Sequence, residues 1–237
     1  MTHNLVNRFL NLLFPSSCPV CGNDSDSHRH NPVCISCWKG IERYSGPACV
    51  TCGIPIVSAH AAHCESCLKT PPSFSKIIYY GIYDGALRKA VHLLKFKGIK
   101  RLARPIAELL SELPIPEAEG IVPVPLHPAR LREREFNQTA LISRHLSRHY
   151  GIPLLLDVLK KDRKTPPQTD VSGKERLKNV RNAFIADKAA DGLRLILVDD
   201  VITTGATVYE CARVLTKAGA ADVTVVALAR SIIDRSY

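Results

Sequence analysis

No stretch of this 237-residue chain is apolar for long enough to cross a bilayer, which excludes a helical membrane protein. The nearest approach, LVNRFLNLLF ahead of Pro15, has about half the required length and reads as a short helix packed on its own protein. It carries Arg8 and two interior Asn and lacks a small-residue cleavage site, so it does not read as a secretory leader, and a cytoplasmic location is expected. There is no low-complexity tract, and no internal repeat beyond one cysteine pattern. Acidic groups are in deficit: 22 Asp and Glu against 32 Lys and Arg leave a formal net charge of +10. With 46% hydrophobic and 23% charged residues, the composition is that of a soluble globular chain with room for one large or two modest domains.

What is present is unevenly distributed. Eight of the nine cysteines lie between Cys18 and Cys67, as four Cys-x-x-Cys pairs: Cys18/Cys21, Cys34/Cys37, Cys49/Cys52 and Cys64/Cys67. A Cys-x-x-Cys knuckle aims two sulfurs at one ion, and tetrahedral Zn²⁺ needs two knuckles, so four make two closed four-cysteine sites. Segments this short cannot bury a sufficient core, so the metals supply folding energy. A disulfide scaffold needs an oxidising compartment, and four even pairs outside any βαβ unit do not suit a redox motif. Sequential pairing suits two stacked ribbons; a cross-braced pairing is the alternative. Cys211 falls on the helical run Val208, Cys211, Ala212, Leu215 and reads as a packed core thiol. Residues 1–72 are therefore expected to form a zinc module with a short N-terminal helix, and 73–237 a larger α/β domain, the boundary lying near Thr70-Pro71-Pro72-Ser73.

The most informative stretch is LILVDDVITTGAT, residues 195–207. Leu193 and residues 195–198 make a buried parallel strand, and Asp199 and Asp200 stand where it ends. Thr203, Thr204, Gly205, Ala206 and Thr207 then turn into a helix running to about Lys217. Ligands of open α/β sheets bind at the carboxyl ends of the strands. A small-residue turn opening a helix offers free N–H groups and the positive dipole end to a phosphate. Paired acids accept hydrogen bonds from vicinal hydroxyls or hold Mg²⁺. Phosphate and diol together describe a ribose 5-phosphate, and the thirteen residues resemble the PRPP-binding signature of type I phosphoribosyltransferases.

Elsewhere, strands are expected at 77–83, 121–125, 154–159 and 223–229, and helices at 86–96, 101–113 and 136–150. Alternating strands and helices imply a parallel sheet with right-handed crossovers. The segment Val124, Pro125, Leu126, His127 follows an early strand, the place where a phosphoribosyltransferase holds pyrophosphate on backbone amides. Its prolines limit the donors, so the neighbouring Arg130, Arg132 and Arg134 are expected to share the work. Residues 163–181 are polar, basic and rich in turn formers, the composition of a functional lid. Arg163, Lys164, Lys174, Arg176 and Arg181 are its candidate pyrophosphate cations.

Taken together, the four cysteine pairs, YYGIYDGALRKAVHLLKFKG, VPVPLHPARLREREFNQ, RKTPPQT with RLKNVRNAF, and the PRPP signature resemble the ComF/GntX family, from about Cys18 to Ala229. That resemblance implies a type I phosphoribosyltransferase fold, a parallel sheet flanked by helices, behind a double zinc ribbon. It implies binding of Mg²⁺-PRPP with Asp199, Asp200, Arg163, Lys164 and Arg176 as the catalytic set, and a link to DNA uptake in competent bacteria. The sequence shows no pocket built for an acceptor base, so pentosyl transfer and non-catalytic PRPP sensing both stand. Implied partners are single-stranded DNA and a competence helicase or membrane channel protein. One position departs from the family pattern: Glu135 stands where Gly usually precedes Phe136-Asn137-Gln138, and it is strained if φ is positive there.

Residues 76–110 carry eight basic and two acidic groups. Lys95, Lys97, Lys100 and Arg101, outside the expected pocket and interleaved with Tyr79, Tyr80, Tyr83 and Phe96, could track a single strand by charge and stacking. The competing reading is a solvated helix face over a core containing those aromatics.

Overall fold

The computed structural model describes residues 17–25, 29–57, 61–163 and 180–232. At its centre lie four parallel strands, β1 (Lys76–Ile82), β2 (Gly120–Pro123), β5 (Arg194–Ile202) and β6 (Asp222–Arg230), in the spatial order β1-β6-β5-β2. The register aligns Val122 with Leu197, Leu197 with Val225, and Val225 with Ile77. β5 and β6 are buried almost throughout, as expected of strands covered on both faces.

The pleat sorts these strands into two cores. Ile196, Val198, Val226 and Leu228 face one side, packed with Leu87 and Leu94 of α3 (Gly85–Lys97), Ile106 and Leu110 of α4 (Ala103–Ser111), and Ile142 and Leu146 of α6 (Gln138–Tyr150). Leu195, Leu197, Val223, Val225 and Ala227 face the other, against Val208, Cys211 and Leu215 of α7 (Ala206–Lys217). Cys211 is fully buried there, as its helical spacing predicts.

The cysteine segments do not stand apart from this sheet. Cys18, Val33, Cys34 and Trp38, the last on α1 (Ile35–Lys39), join the α3/α4/α6 core. Cys49, Cys52 and Cys67, the last on α2 (Glu65–Lys69), join the α7 core with Phe74 and Tyr79. The chain leading from the first site into the Cys49/Cys52 knuckle of the second runs along the free edge of β1: Tyr44 N–H donates to Tyr80 O and Ile77 N–H to Thr51 O, each at 2.8 Å. An edge strand that would otherwise expose unpaired backbone groups is thereby covered. The expected boundary at 70–73 falls between α2 and β1, but the segments it separates share both cores.

Several boundaries differ from the expectations. β5 continues to Ile202 because β6 is long enough to pair Asp199 with Ala227 and Ile202 with Arg230, so both acids lie inside the strand. The expected strand at 154–159 makes one parallel bridge, Leu154 to Ile121. Regular pairing begins only at β3 (Leu159–Lys161), antiparallel to the unforeseen β4 (Phe184–Ala186). The expected helix at 101–113 starts with a 3-10 turn, Lys100–Leu102, before α4. The expected N-terminal helix lies outside the described residues.

The pairing of the knuckles is sequential. The Sγ atoms of Cys18, Cys21, Cys34 and Cys37 lie within 4.8 Å of one another, as do those of Cys49, Cys52, Cys64 and Cys67. Cys21 and Cys34 sulfurs are 3.7 Å apart, and Cys52 and Cys64 sulfurs 3.6 Å. A tetrahedron with Zn–S bonds of about 2.3 Å has edges of about 3.8 Å, so both quartets fit zinc. Burial pushes the Cys18 and Cys49 thiols up, but backbone N–H donors outweigh it and bring each down to about 6, readying one thiolate per site. Because the ligands sit in both cores, metal loss loosens the whole chain. Elemental analysis is expected to find two zinc ions per chain. A strong chelator is expected to lower a single melting transition by about 10 °C or more; a separate early transition with the main one unmoved would contradict this packing.

Candidate functional site

Strand alternation sends the two acids to opposite faces of β5. Asp200 projects toward α3 and α6. Its Oδ1 accepts from Lys95 Nζ at 2.7 Å and from Val201 N–H at 2.7 Å, and its Oδ2 from Gln138 Nε2 at 2.8 Å. Asp199 projects toward α7 and Lys161, and its Oδ1 accepts from Asp200 N–H at 2.9 Å. Burial first, then the charge of Asp200, pushes the Asp199 carboxyl up to about 7, with Lys95 opposing. One acid is thus ion-paired with a neighbouring lysine, and the other titrates near neutrality.

Cations surround the pair. Arg134, at the end of α5 (Pro128–Arg134), donates to Gln138 Oε1 at 2.8 Å and feels the charge of Asp200. Lys161 is half-buried; desolvation lowers its pKa, while Asp199 acts to raise it. Arg130 acts on both Arg134 and Lys161. Two carboxylates with Lys95, Arg130, Arg134 and Lys161 make a site with positive charge to spare, suited to a polyanion.

The turn between β5 and α7 is built as its sequence predicts. Thr203, Thr204 and Thr207 are half-buried and Gly205 and Ala206 buried; α7 begins at Ala206 with Gly205 at its cap, φ 83°. The glycine brings no side chain to the N-terminus of the helix, and Thr204 Oγ1 accepts from Ala206 N–H at 3.4 Å. In the segment 124–127, Val124 N–H is spent on Val198 O at 2.9 Å and Pro125 has none, which leaves Leu126 and His127 as amide donors. His127 also caps α5, its Nδ1 accepting from Ala129 N–H at 3.2 Å. Asn137 Nδ2 and Thr139 Oγ1 both donate to Val124 O, at 3.1 and 2.7 Å, fastening this loop to α6.

Lys95 corrects the expected DNA-tracking patch, since it lies in the site rather than outside it. The other cations of that patch engage other partners or solvent. Lys100 Nζ lies 5.0 Å from the centre of the Phe136 ring, and Arg101 donates to Asn31 O and Oδ1. Lys97 is exposed, while Tyr79 and Tyr80 are buried and offer no stacking face. Of the expected lid cations, Lys164, Lys174 and Arg176 lie outside the described residues. Arg163 is exposed and donates to Arg181 O at 2.8 Å, tying together the two ends of that segment. Sequence reasoning gave Gln138 and Lys161 no role. The Phe136-Asn137-Gln138 element was the nearest signal for the first, and one of two adjacent lysines on a short strand carries none.

The double zinc ribbon domain family matches residues 9–68. Competence protein F of Haemophilus influenzae is 36% identical over 214 residues, covering 85% of this chain and 91% of that protein. The chain belongs to the competence protein F family. Competence protein ComFC of Bacillus subtilis is 30% identical, covering 84% of each. Among solved structures, a glutamine PRPP amidotransferase from B. subtilis complexed with ADP and GMP aligns at TM-score 0.38 with 25% identity, over 52% of this chain and 25% of that one. In this competence protein F relative, Glu135 sits in the left-handed region at φ 65°, ending α5 immediately before Phe136-Asn137-Gln138.

Glu135→Gly is expected to stabilise the fold by about 1 kcal/mol, read by denaturant melts. Asp199 has a folded value above its ordinary 3.8, so its ionisation costs stability. That cost begins near pH 4 and is complete above pH 7. The melting temperature of Asp199→Asn, relative to the parent, is therefore expected to climb by several degrees between about pH 4 and 7 and then level off; a flat difference would contradict the buried carboxyl.

Proposed function

We propose that this site binds PRPP with Mg²⁺ and that the protein serves a ComF-type role in DNA uptake, a reading supported by relatives that are named for competence. The observation that carries the ligand reading is the adjacency of a glycine-capped helix N-terminus at 203–207 to a buried acid pair ringed by cations. The 5-phosphate takes the N–H groups of the turn. The ribose hydroxyls meet Asp199, which lies on the α7 side of β5, while Asp200 on the other face stays engaged by Lys95 and Gln138. The pyrophosphate lies toward Leu126, His127, Arg130 and Lys161.

Mg²⁺, where bound, neutralises pyrophosphate charge and eases its departure. Asp200 is already engaged by Lys95 and Gln138 and would offer such an ion little beyond charge. As bond cleavage builds positive charge on the sugar ring, the carboxylates stabilise it electrostatically. Release of pyrophosphate distinguishes transfer from sensing.

The double substitution Asp199→Asn/Asp200→Asn is expected to abolish Mg²⁺-PRPP binding in calorimetry while the far-UV spectrum and both zinc ions are retained. Undiminished affinity in that variant overturns the assignment.

A further inference from the structure

The phosphate turn has a second neighbour that the proposed ligand does not touch. Tyr209, one helical turn into α7, lays its ring against Gly205. A Cβ on Gly205 would come within 3.0 Å of Tyr209 Cε2 and 3.1 Å of Cδ2. The turn therefore rests on this ring, and its left-handed glycine is braced from behind. The ring is fixed in turn by Phe74, edge-on at 4.8 Å and 78°. Its hydroxyl lies 3.9 Å from Sγ of Cys67, a member of the second cysteine quartet. With that sulfur bound as a thiolate, the phenol is the donor.

A second strut runs parallel. Arg230, buried at the carboxyl end of β6 and in register with Ile202 of β5, donates to Cys52 O at 2.6 Å. Ser231 N–H donates to Ile202 O at 2.9 Å, just before the turn. The second quartet thus holds both walls of the turn, through Cys67 on one side and Cys52 on the other. The first quartet, by contrast, is tied to the opposite core through Cys18 and Cys34, beside Trp38 and Val33.

We propose that metal occupancy of the Cys49/Cys52/Cys64/Cys67 site sets the affinity of the 203–207 turn for a phosphate-bearing ligand, with Tyr209 as the positioning residue. The inference rests on the reading of that turn as a phosphate site. Four sulfurs gathered around one ion hold α2 and Cys67 in place. Without the ion the hydroxyl loses its fixed partner, and the ring loses its hold on Gly205. Binding linkage is reciprocal, so a ligand on the turn must also hold the metal in that site.

The test uses the zinc-loaded full chain, Mg²⁺-PRPP as probe, and zinc release to a chromophoric chelator with and without saturating probe. Release is expected in two phases, one of them slowed about tenfold by PRPP. Cys21→Ser, in the first quartet, is expected to remove only the phase that PRPP leaves alone. Tyr209→Leu is expected to keep both zinc ions, weaken PRPP about tenfold, and erase the slowing. Tyr209→Phe keeps the ring and loses the hydroxyl; it is expected to retain most of the affinity but lose the protection of zinc, and it serves as the folded variant if Tyr209→Leu does not fold. Parent protein that binds PRPP while both phases ignore it overturns the coupling alone, as does a folded Tyr209→Leu or Tyr209→Phe that behaves as the parent. Parent protein that binds no PRPP overturns the phosphate reading itself.

Discussion

A buried carboxylate paired with a lysine is the constraint around which the α/β domain is arranged. Asp200 is 3% exposed, and a charge so placed must be paired and hydrogen-bonded or it neutralises. Its partners come from three elements: Lys95 from the last turn of α3, Gln138 from the first turn of α6, and Val201 N–H from its own strand. Each partner fixes the end of the element that bears it. α3 and α6 lie over the sheet with those ends converging on β5, and the apolar faces behind them form one of the two cores. Gln138 then passes the constraint outward, since its carbonyl oxygen can accept from Arg134 only while its amide points at Asp200. One acid therefore orders two helices and a guanidinium.

The cysteine quartets solve a different problem. A four-stranded parallel sheet with β1 at its edge leaves unpaired backbone on one side, and short ribbons cannot bury a core of their own. In this chain each deficit answers the other. The ribbon segment bonds to the edge of β1, and the ribbon cysteines enter the cores on both faces of the sheet. The metals thereby act as fixed points for the α/β domain as well as for the ribbons.

Much of this was legible in the sequence because its signals are local. The Cys-x-x-Cys spacing, the apolar runs of β5 and β6, and the Thr-Thr-Gly turn each state their structure within a dozen residues. The positive φ at Glu135 was signalled only through the family resemblance, in which Gly usually stands before Phe136-Asn137-Gln138. Illegible were the relations that depend on which elements meet. Lys95 sits in a run of exposed cations and is indistinguishable from Lys97 by composition; only the packing of α3 over β5 aims one at Asp200 and leaves the other in water. Tyr79 and Tyr80 read either as stacking aromatics or as core beneath a solvated helix face, and only the covering of their strand on both faces decides for the core. The pair β3–β4 was missed because three-residue strands carry too little period to be seen.

The pleat bears on the acid pair most sharply. Adjacent in sequence, Asp199 and Asp200 read as twins, yet a strand that continues through them must present them to opposite faces. Asp200 meets Lys95 in an ion pair; Asp199 meets α7 and Lys161 in a tighter enclosure, and its carboxyl rises to about 7. Two identical side chains thus acquire different surroundings from strand geometry alone. A carboxyl that titrates near neutrality can donate as well as accept a hydrogen bond, while an ion-paired carboxylate can only accept.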